Sequence, residues 1–219
     1  MNESQVLDHY FSHCHRRNYP ADATIITAGA HSTSLYYIVS GSVSVVIDDD
    51  DGHEILLAYL NSGDFFGEIG LFDEKHERSA WVRARADCEI AQLSYDRLSA
   101  LTQTQPDVVF AMLASLSLRV RDTSRKLRDL AFKDVSGRIA RALLDLCEQP
   151  DAVPTDDGIM VLASRQELGR IVGCSREMAS RVVRALEEQG LVRTAGKEIM
   201  ILGQGPDPAQ SSGLAELDG

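Results

Sequence analysis

A stripe of apolar residues that recurs every three or four positions constrains the fold of this chain more than any other feature. The stripe consists of Val109, Leu113, Leu116, Val120, Thr123, Leu127 and Leu130. Spacings that alternate between four and three predict one long helix over about residues 106–132, with Pro106 suited to its first position. The stripe is narrow and its flanks are charged, which favours a parallel dimer helix over a helix packed only on its own domain. Thr123 is the polar seam position, with Ser124 beside it, and can fix the register or face a ligand.

Before this helix, the chain has the pattern of β structure. Short segments with strand propensity or period-2 alternation occur at residues 35–39, 43–47, 55–60, 81–85 and 89–93. Short strands separated by turns indicate a sandwich or a small barrel. The run at 48–52 reads Asp-Asp-Asp-Asp-Gly and predicts a solvated hairpin turn. A calcium loop is the weaker alternative, because the run lacks spaced oxygen ligands and a terminal glutamate.

The composition is that of an ordinary globular protein. Of 219 residues, 44% are apolar and 25% are charged, which suffices for one large domain or two small ones. No apolar run approaches the ~20 residues of a membrane helix, and the polar N-terminus predicts no secretory signal. The lack of such a run leads us to expect no membrane partner. The four cysteines are scattered, so we expect reduced thiols, no metal site and a cytoplasmic location.

The charge distribution bears on nucleic-acid binding. The net charge is −11, from 22 basic and 33 acidic residues, which at first argues against such a partner. Residues 164–184, however, contain five Arg and two Glu, a local net charge of +3. DNA binding depends on the local field, so the acidic total does not exclude it.

The last third of the chain predicts helices. Residues 135–148 are amphipathic, and the residues expected to face inward are Ile139, Leu143, Leu144 and either Leu146 or Cys147. Ser164 and Ser175 fit as N-caps of two further helices, and Gly173 ends the first of these. Two short helices joined by a glycine-containing turn predict a helix-turn-helix.

A β ending and a polar tail follow these helices. Residues 191–193 and 198–202 predict a hairpin wing, and Gly190 fits the end of the preceding helix. Residues 203–219 are rich in Gly, Pro and Ser and predict a flexible acidic tail. We therefore expect a sensor domain over residues 1–134, a DNA-binding domain over 135–202 and a tail over 203–219.

Two short blocks carry the densest functional signal. They read Phe66-Gly67-Glu68-Ile69-Gly70-Leu71-Phe72 and Glu77-Arg78-Ser79-Ala80. Glycines let the backbone approach an anion, Arg78 can pair with a phosphate through two hydrogen bonds, and Ser79 can donate its hydroxyl. Glu68 can accept from a sugar hydroxyl. The alternative is a glycine turn with a surface ion pair between Glu68 and Arg78, but two blocks just after a β-rich segment favour a phosphate pocket.

These blocks resemble the phosphate-binding cassette of cyclic-nucleotide-binding domains. With the helix-turn-helix, the chain resembles the Crp/Fnr superfamily of regulators, most closely its cAMP receptor branch and the related virulence regulators. The resemblance is densest over residues 67–83, 122–137 and 164–189. It implies an α+β fold: an N-terminal cyclic-nucleotide-binding β-roll with jelly-roll-like character, a long dimerisation helix and a C-terminal winged helix-turn-helix.

The resemblance also implies which residues bind the nucleotide. They are Gly67, Glu68, Arg78, Ser79, Ala80, Thr123 and Ser124. Glu68 would bind the ribose 2′-hydroxyl, while Arg78 and Ser79 would hold the cyclic phosphate with help from the backbone. Thr123 of one subunit and Ser124 of its partner would bind the adenine amino group. Because hydroxyls can accept a hydrogen bond from that amine, we expect cAMP rather than cGMP as the allosteric effector.

The second helix of the helix-turn-helix carries Arg176, Glu177 and Arg181 in its first two turns. Arg pairs with guanine and Glu accepts from cytosine, so these side chains suit base contacts, although solvated helix charges are the plain alternative. The resemblance implies that all three contact bases of a TGTGA-like half-site and that Arg165 and Ser175 contact phosphates. The expected partners are palindromic double-stranded DNA, a second copy of the chain in a homodimer, and RNA polymerase.

Three other function classes remain open. A redox or gas sensor of the same superfamily would need clustered N-terminal cysteines or haem ligands; His76 lies in the cassette loop but is expected to be a solvated loop histidine. An enzyme such as a nucleotide hydrolase would need a nucleophile, a metal cluster or paired acid and base groups, and we expect no catalytic residues. A cyclic-di-GMP or ligand-independent regulator is the third, against which Glu68 and Arg78 argue.

Overall fold

The chain divides into two compact units that meet between Arg128 and Asp129. A computed structural model describes residue 11, residues 14–74 and residues 76–202. The strands of the first unit are β1 (His15–Tyr19), β2 (Thr24–Ile26), β3 (Ser34–Ser40), β4 (Ser42–Asp48), β5 (Glu54–Asn61), β6 (Phe65–Phe66), β7 (Trp81–Ala84) and β8 (Cys88–Ser94). Its helices are α1 (Ile69–Phe72), α2 (Tyr95–Thr104) and most of α3 (Asp107–Phe132). The predicted tail and the first ten residues lie outside the described part.

The first unit contains two four-stranded antiparallel sheets. One has the strand order β1-β8-β3-β6 and the other β2-β7-β4-β5. All five strands that the sequence predicts are present, and the β-roll expected from the resemblance is confirmed. The short strands β1 and β2 and the helix α2 were not predicted, because each depends on pairing or packing with distant segments rather than on its own pattern.

Alternation along the strands of the first sheet divides the core into two layers. Leu35, Tyr37 and Phe65 face helices α2 and α3, whereas Ile38 and Phe66 face the second sheet. Successive side chains of a strand point to opposite faces, so one sheet serves both layers. This arrangement fixes the backbone just before Gly67, because Phe65 and Phe66 are both completely or almost completely buried.

Helix α3 has one buried and one exposed apolar side. Val108, Ala111 and Met112 pack into the core of their own unit. The seam residues Val109, Leu113, Val120 and Leu127 are 36%, 53%, 66% and 66% exposed, respectively. The helix therefore packs on its own domain and also presents an exposed apolar stripe, as the predicted dimer helix requires. The helix begins at Asp107, one residue after the predicted start, and no helix of the described residues has the length and apolar character to cross a membrane.

The acidic run forms the hairpin turn between β4 and β5, as the sequence predicts. The Asp49 backbone N–H donates to the His53 carbonyl, and the Asp49 carboxylate accepts from the backbone N–H groups of Asp51 and His53. Gly52 has φ +79°. Possible ligand atoms of Asp49, Asp51 and His53 lie within 4.8 Å of one another, and all three side chains are exposed.

The second unit combines three helices with a four-stranded sheet. The elements are α4 (Val135–Cys147), β9 (Val153–Thr155), β10 (Gly158–Leu162), α5 (Arg165–Val172), α6 (Arg176–Glu188), β11 (Val192–Ala195) and β12 (Glu198–Leu202), and the sheet order is β11-β12-β10-β9. The predicted hairpin wing is β11 and β12, but β9 and β10 widen it. In α4, Ile139, Leu143 and Leu146 are buried, whereas Leu144 is 50% exposed, so the expectation that Leu144 faces inward was wrong.

Caps and glycines set the turn between α5 and α6. The Ser164 and Ser175 hydroxyls accept from the backbone N–H groups of Glu167 and Met178, as the sequence predicts. Gly173 ends α5 in the left-handed conformation, with φ +67°. The helix-turn-helix is therefore built from signals that are local in the sequence.

We predict that Ser164→Ala lowers the free energy of unfolding by about 1 kcal/mol, because it removes the N-cap acceptor of α5. Ser136→Ala is the matched control, since Ser136 is exposed in the first turn of α4 and Asp134, not Ser136, caps that helix. Urea unfolding followed by circular dichroism measures both variants. Equal stabilities for the two variants would contradict the capping role.

Candidate effector pocket and nucleic-acid interface

A cavity of about 210 Å³ lies in the first unit, between the second sheet, the cassette segment and helix α3. Its lining residues are Ile26, Val45, Leu57, Ala58, Leu60, Phe66, Gly67, Glu68, Ile69, Gly70, Arg78, Ser79, Ala80, Val82, Arg119 and Thr123. Most of the wall is apolar, and the polar groups converge from two chain segments. Such a combination is typical of a small-molecule site.

Arg78 is a buried cation in the cavity wall, with only 8% of its surface exposed. Its Nη1 donates to the Gly67 carbonyl at 3.0 Å, and its Nη2 donates to the Ser34 carbonyl at 2.9 Å. The guanidinium also lies 5.3 Å from the centre of the Tyr36 ring. Among the described residues, no carboxylate forms an ion pair with Arg78, so neutral dipoles alone compensate its charge within this part of the chain.

Gly67 is required for this position of Arg78. It has φ +85°, a conformation that favours glycine. A Cβ at this residue would lie 2.6 Å from Arg78 Nη1 and 3.2 Å from the Ser34 carbonyl oxygen. The Tyr95 hydroxyl donates to the Gly67 carbonyl at 2.6 Å, which holds the glycine from the other side. Gly67 therefore seats the guanidinium, and the predicted approach of its backbone to an anion stays a prediction.

Glu68 forms an ion pair with Arg119 of helix α3, at 3.5 Å. The surface ion pair between Glu68 and Arg78, which the sequence left as an alternative, is therefore wrong. Arg119 also donates to the Phe65 carbonyl and lies 4.6 Å from the centre of the Phe65 ring. Burial lowers the pKa of Arg119, while the negative charges of Glu68 and Asp64 act in the opposite direction.

Sequence reasoning missed Arg119 as a residue of this site. It is one of several cations along α3, and its charge alone does not distinguish it from its neighbours. One feature of the sequence could have identified it: Arg119 lies one helical turn before Thr123, so the two residues share one face of the helix. Its Nε is buried and has no hydrogen-bond partner among the described residues.

The structure brings six of the seven predicted nucleotide-binding residues to this one cavity. Gly67, Glu68, Arg78, Ser79, Ala80 and Thr123 all line it. Ser79 and Thr123 are exposed, so their hydroxyls are accessible. Ser124 does not line the cavity of its own chain and is exposed on α3.

Helix α6 of the second unit has a buried and a charged face. Ala179, Val182 and Val183 are buried. Glu177 and Arg181 are exposed on the opposite side, and Arg176 is exposed in the first turn. Arg184, which was not predicted, extends this charged face, because it follows Arg181 by three residues and is also exposed. Ser175 is exposed and caps the helix.

Arg165 differs from the other predicted DNA contacts because it is half-buried at the start of α5. Its Nη1 is buried without a hydrogen-bond partner in the described part of the chain. Burial lowers the pKa of Arg165, and the nearby Glu187 raises it. Glu187 is itself held, since its carboxylate accepts from the backbone N–H and the hydroxyl of Thr194.

Comparison with known proteins identifies both units. Residues 16–105 match the cyclic nucleotide-binding domain, and residues 137–203 match the Crp-like helix-turn-helix domain. The chain is 52% identical over 200 residues to the cAMP-activated global transcriptional regulator Vfr of Pseudomonas aeruginosa, covering 90% of this chain and 94% of Vfr. It is 49% identical over 198 residues to the cAMP-activated global transcriptional regulator CRP of Escherichia coli, with coverages of 90% and 94%. The chain belongs to the CRP family.

Membership of the CRP family makes this chain a DNA-binding transcription regulator with a cyclic-nucleotide-binding domain. The family is not one of enzymes, in agreement with the prediction. A similar solved structure is that of the c-di-GMP responsive global regulator CLP of Xanthomonas campestris, with a TM-score of 0.85 and 42% identity over 92% of this chain and 100% of CLP. The names of these relatives therefore specify different effectors: cAMP for Vfr and CRP, and c-di-GMP for CLP.

We predict that Gly67→Ala weakens cyclic-nucleotide binding about tenfold, because the added Cβ displaces the Arg78 guanidinium. Gly52→Ala is the matched control: Gly52 has a similar φ of +79°, but open space surrounds its Cβ position. Both variants place a Cβ on a residue with a similar positive φ, but only Gly67→Ala crowds Arg78, and isothermal titration compares their affinities. Equal losses of affinity in the two variants would contradict this account.

Proposed function

We propose that the chain is a homodimeric transcription regulator whose effector is cAMP. The observation that carries the proposal is the Arg78 guanidinium, which is buried at the wall of a small cavity and pairs with carbonyl oxygens. A buried charge without an opposite charge is costly, and an anion that enters the cavity removes that cost. The cyclic phosphate of a nucleotide is such an anion.

The polar edge of the cavity supports a phosphate site. Arg78 has further N–H groups besides those bonded to Gly67 and Ser34, and a guanidinium binds phosphate oxygens through parallel hydrogen bonds. The exposed Ser79 hydroxyl lines the same edge, next to the backbone of Ala80. We assign Arg78, Ser79 and the backbone of Gly67 and Ala80 to the phosphate.

The ion pair between Glu68 and Arg119 supports a sugar site beside the phosphate. Arg119 engages Glu68 Oε1 at 3.5 Å, and the carboxylate retains capacity to accept further hydrogen bonds. We assign Glu68 to the ribose 2′-hydroxyl and Arg119 to the positioning of Glu68. In this arrangement the nucleotide contacts the cassette directly and helix α3 through Arg119.

Heptad geometry supports a contribution from the partner chain. The seam spacing places Thr123 at a d position, Arg119 at the preceding g position and Ser124 at the following e position. In a parallel two-stranded coil, the g residue of one helix lies beside the e residue of the next heptad of the other helix. The partner's Ser124 is therefore expected beside Arg119, which lines the cavity. Thr123 and the partner's Ser124 would then bind the adenine amino group together.

The size of the cavity supports a mononucleotide over a cyclic dinucleotide. The cavity measures about 210 Å³, and a cyclic dinucleotide has about twice the atoms of a cyclic mononucleotide, so the smaller ligand requires less widening of the cavity. The relatives Vfr and CRP are named as cAMP-activated, whereas CLP is named as c-di-GMP responsive. Titrations with cAMP, cGMP and c-di-GMP decide between them; tighter binding of either competitor would overturn the choice of cAMP.

We predict that Arg78→Gln weakens cAMP binding about 100-fold, because two charge-assisted hydrogen bonds are together worth about 3 kcal/mol or more. Arg83→Gln is the control: Arg83 is a part-buried arginine of β7 that forms an ion pair with Glu54 at 2.7 Å and does not line the cavity. Titration calorimetry on both variants, with thermal unfolding to confirm folding, gives the comparison. Retained affinity in folded Arg78→Gln would refute the phosphate assignment.

The charged face of α6 supports specific DNA binding by the dimer. A twofold dimer presents two copies of this helix, which match a pseudo-palindrome with half-sites about one helical turn apart. A nucleotide held between the chains favours one arrangement of the two helices, and this linkage has a typical coupling of about 1–3 kcal/mol. Operator binding with and without cAMP at fixed salt measures it, and an unchanged affinity would overturn the mechanism.

We predict that Arg181→Ala weakens operator binding by about 1–3 kcal/mol and relaxes the preference at one base position. Arg165→Ala is the comparison, since a phosphate contact weakens binding on all sequences and lowers the salt dependence. Fluorescence anisotropy on a panel of single-base operator variants separates these patterns. A uniform loss for Arg181→Ala would place it among the phosphate contacts instead.

We further propose that the regulator acts on RNA polymerase in the cytoplasm. This rests on its membership of a family of transcription regulators. Transcription in vitro from a promoter with the operator, with and without cAMP, tests the polymerase contact directly.

A further inference from the structure

Helix α3 is tied to the effector cavity at a second point, which the proposed function does not use. The Nζ of Lys126, a half-buried residue of α3, donates to the Leu57 carbonyl of β5 at 2.7 Å. Leu57 and the next residue, Ala58, both line the cavity. An ammonium group of α3 therefore bonds directly to the backbone of the cavity wall.

The strand that Lys126 contacts has a β-bulge at this point. Adjacent residues of β4, Val45 and Val46, pair with residues of β5 that are two positions apart, so the register skips Leu57. Successive side chains of a regular strand point to opposite faces. The bulge is what allows the consecutive residues Leu57 and Ala58 to line one cavity. We call residues 56–58 the β5 bulge.

The β5 bulge lies where the sheet supports its backbone least. Strand β5 is at the edge of its sheet, which has the order β2-β7-β4-β5. An edge strand has no neighbouring strand on its outer side, and a bulge interrupts the ladder on the inner side. Leu57 is also 39% exposed, although it lines the cavity. The bond from Lys126 thus fixes a segment that the ladder alone holds weakly.

The position of Lys126 on α3 indicates which end of the cavity it serves. Lys126 and Arg119 occupy the g position of successive heptads, with Thr123 between them. Arg119 reaches Glu68, which is assigned to the sugar. Lys126 follows Thr123 by three residues and shares its side of the helix. The β5 bulge is therefore held at the level of the residue that is assigned to the adenine amino group.

We propose that Lys126 is a positioning residue of the effector site, which holds the β5 bulge as the wall beside the base of the nucleotide. The inference rests on the proposed function and adds a residue that does not itself touch the effector. With the bond in place, the apolar side chains of Leu57 and Ala58 pack against the purine. Without it, the bulge moves and the base loses this contact, whereas the phosphate stays with Arg78 and Ser79.

Removal of the donor tests the role of Lys126 in the full chain. Lys126→Met keeps an unbranched side chain but cannot donate, so we expect about tenfold weaker cAMP binding, mostly through faster release. Titration calorimetry gives the affinity, and a chase of tritium-labelled cAMP with unlabelled cAMP gives the release rate. Lys126→Arg is expected to stay within about twofold of the unmodified chain, because a guanidinium also donates to a carbonyl.

Arg121→Met is the matched control. It removes one positive charge from the same helix, but Arg121 is exposed at a b position, away from the seam, and does not line the cavity. We expect it to bind and release cAMP like the unmodified chain. Equal losses for Arg121→Met and Lys126→Met would overturn the proposal, because they would reflect net charge alone.

A ligand without a base separates positioning of the base wall from a general disturbance of the site. The probe is 1-deoxyribofuranose 3,5-cyclic phosphate, whose affinity is measured by competition with cAMP. Lys126→Met is expected to leave the affinity for this probe unchanged, whereas Arg78→Gln is expected to weaken the binding of both ligands. An equal loss of both ligands in Lys126→Met would overturn the inference.

Failure of this inference is distinguishable from failure of the proposed function. If the unmodified chain binds cAMP and folded Lys126→Met binds and releases it at the same rates, only the role of Lys126 is wrong. If the unmodified chain does not bind cAMP, the proposed effector and the role of Lys126 both fail. Lys126→Gln, with a shorter side chain, is the second variant and is expected to show the same losses as Lys126→Met.

Discussion

A buried cation that, among the described residues, is compensated only by neutral dipoles is the constraint on which the first unit depends. The Arg78 guanidinium is placed between the carbonyl oxygens of Ser34 and Gly67 and beside the Tyr36 ring. Taking such a charge out of water is expensive, and neutral acceptors recover only part of the cost. The positive φ of Gly67 and its bond from Tyr95 exist because these acceptors must be brought close. The proposed phosphate would therefore find the guanidinium already held in place.

The second charged group of the cavity, Glu68, differs from Arg78 because it has a partner of opposite charge. Glu68 forms an ion pair with Arg119, so the charge of this carboxylate is compensated and its position is fixed. Arg119 belongs to the same helix that carries the exposed apolar seam. A ligand that contacts Glu68 therefore acts on a helix whose other side is proposed to meet a second chain. The proposed phosphate and sugar sites adjoin the helix that carries the seam, which gives the proposed linkage a short physical route.

Local signals predicted much of the fold, and the exceptions share one cause. Ser164, Gly173 and Ser175 define the helix-turn-helix because caps and turns depend on adjacent residues. Strand β10 was missed because its formation depends on pairing with β12, far along the chain. Leu144 was misplaced because adjacent leucines fit an amphipathic pattern in two ways, and only packing of α4 in its unit decides between them.

The candidate site follows the same rule. Gly67, Glu68, Arg78 and Ser79 are recognisable because they lie in two compact blocks. The partnership of Glu68 with Arg119 rather than Arg78 was not predictable, since it depends on where α3 crosses the cassette. The sequence left both a phosphate role and a surface role open for Arg78, and its burial with no carboxylate partner in the described part of the chain favours the first.

The number of effector sites in the proposed dimer determines how far effector binding can shift the equilibrium between its two arrangements. Moving an equilibrium from 1:99 to 99:1 takes about 5.5 kcal/mol of differential binding, whereas a single coupling is about 1–3 kcal/mol. One bound nucleotide is then too weak to convert the dimer fully. In the proposed dimer, two equivalent cavities would together supply about 2–6 kcal/mol, which spans the required value. On this argument, a complete shift of the proposed equilibrium takes a dimer with both cavities filled.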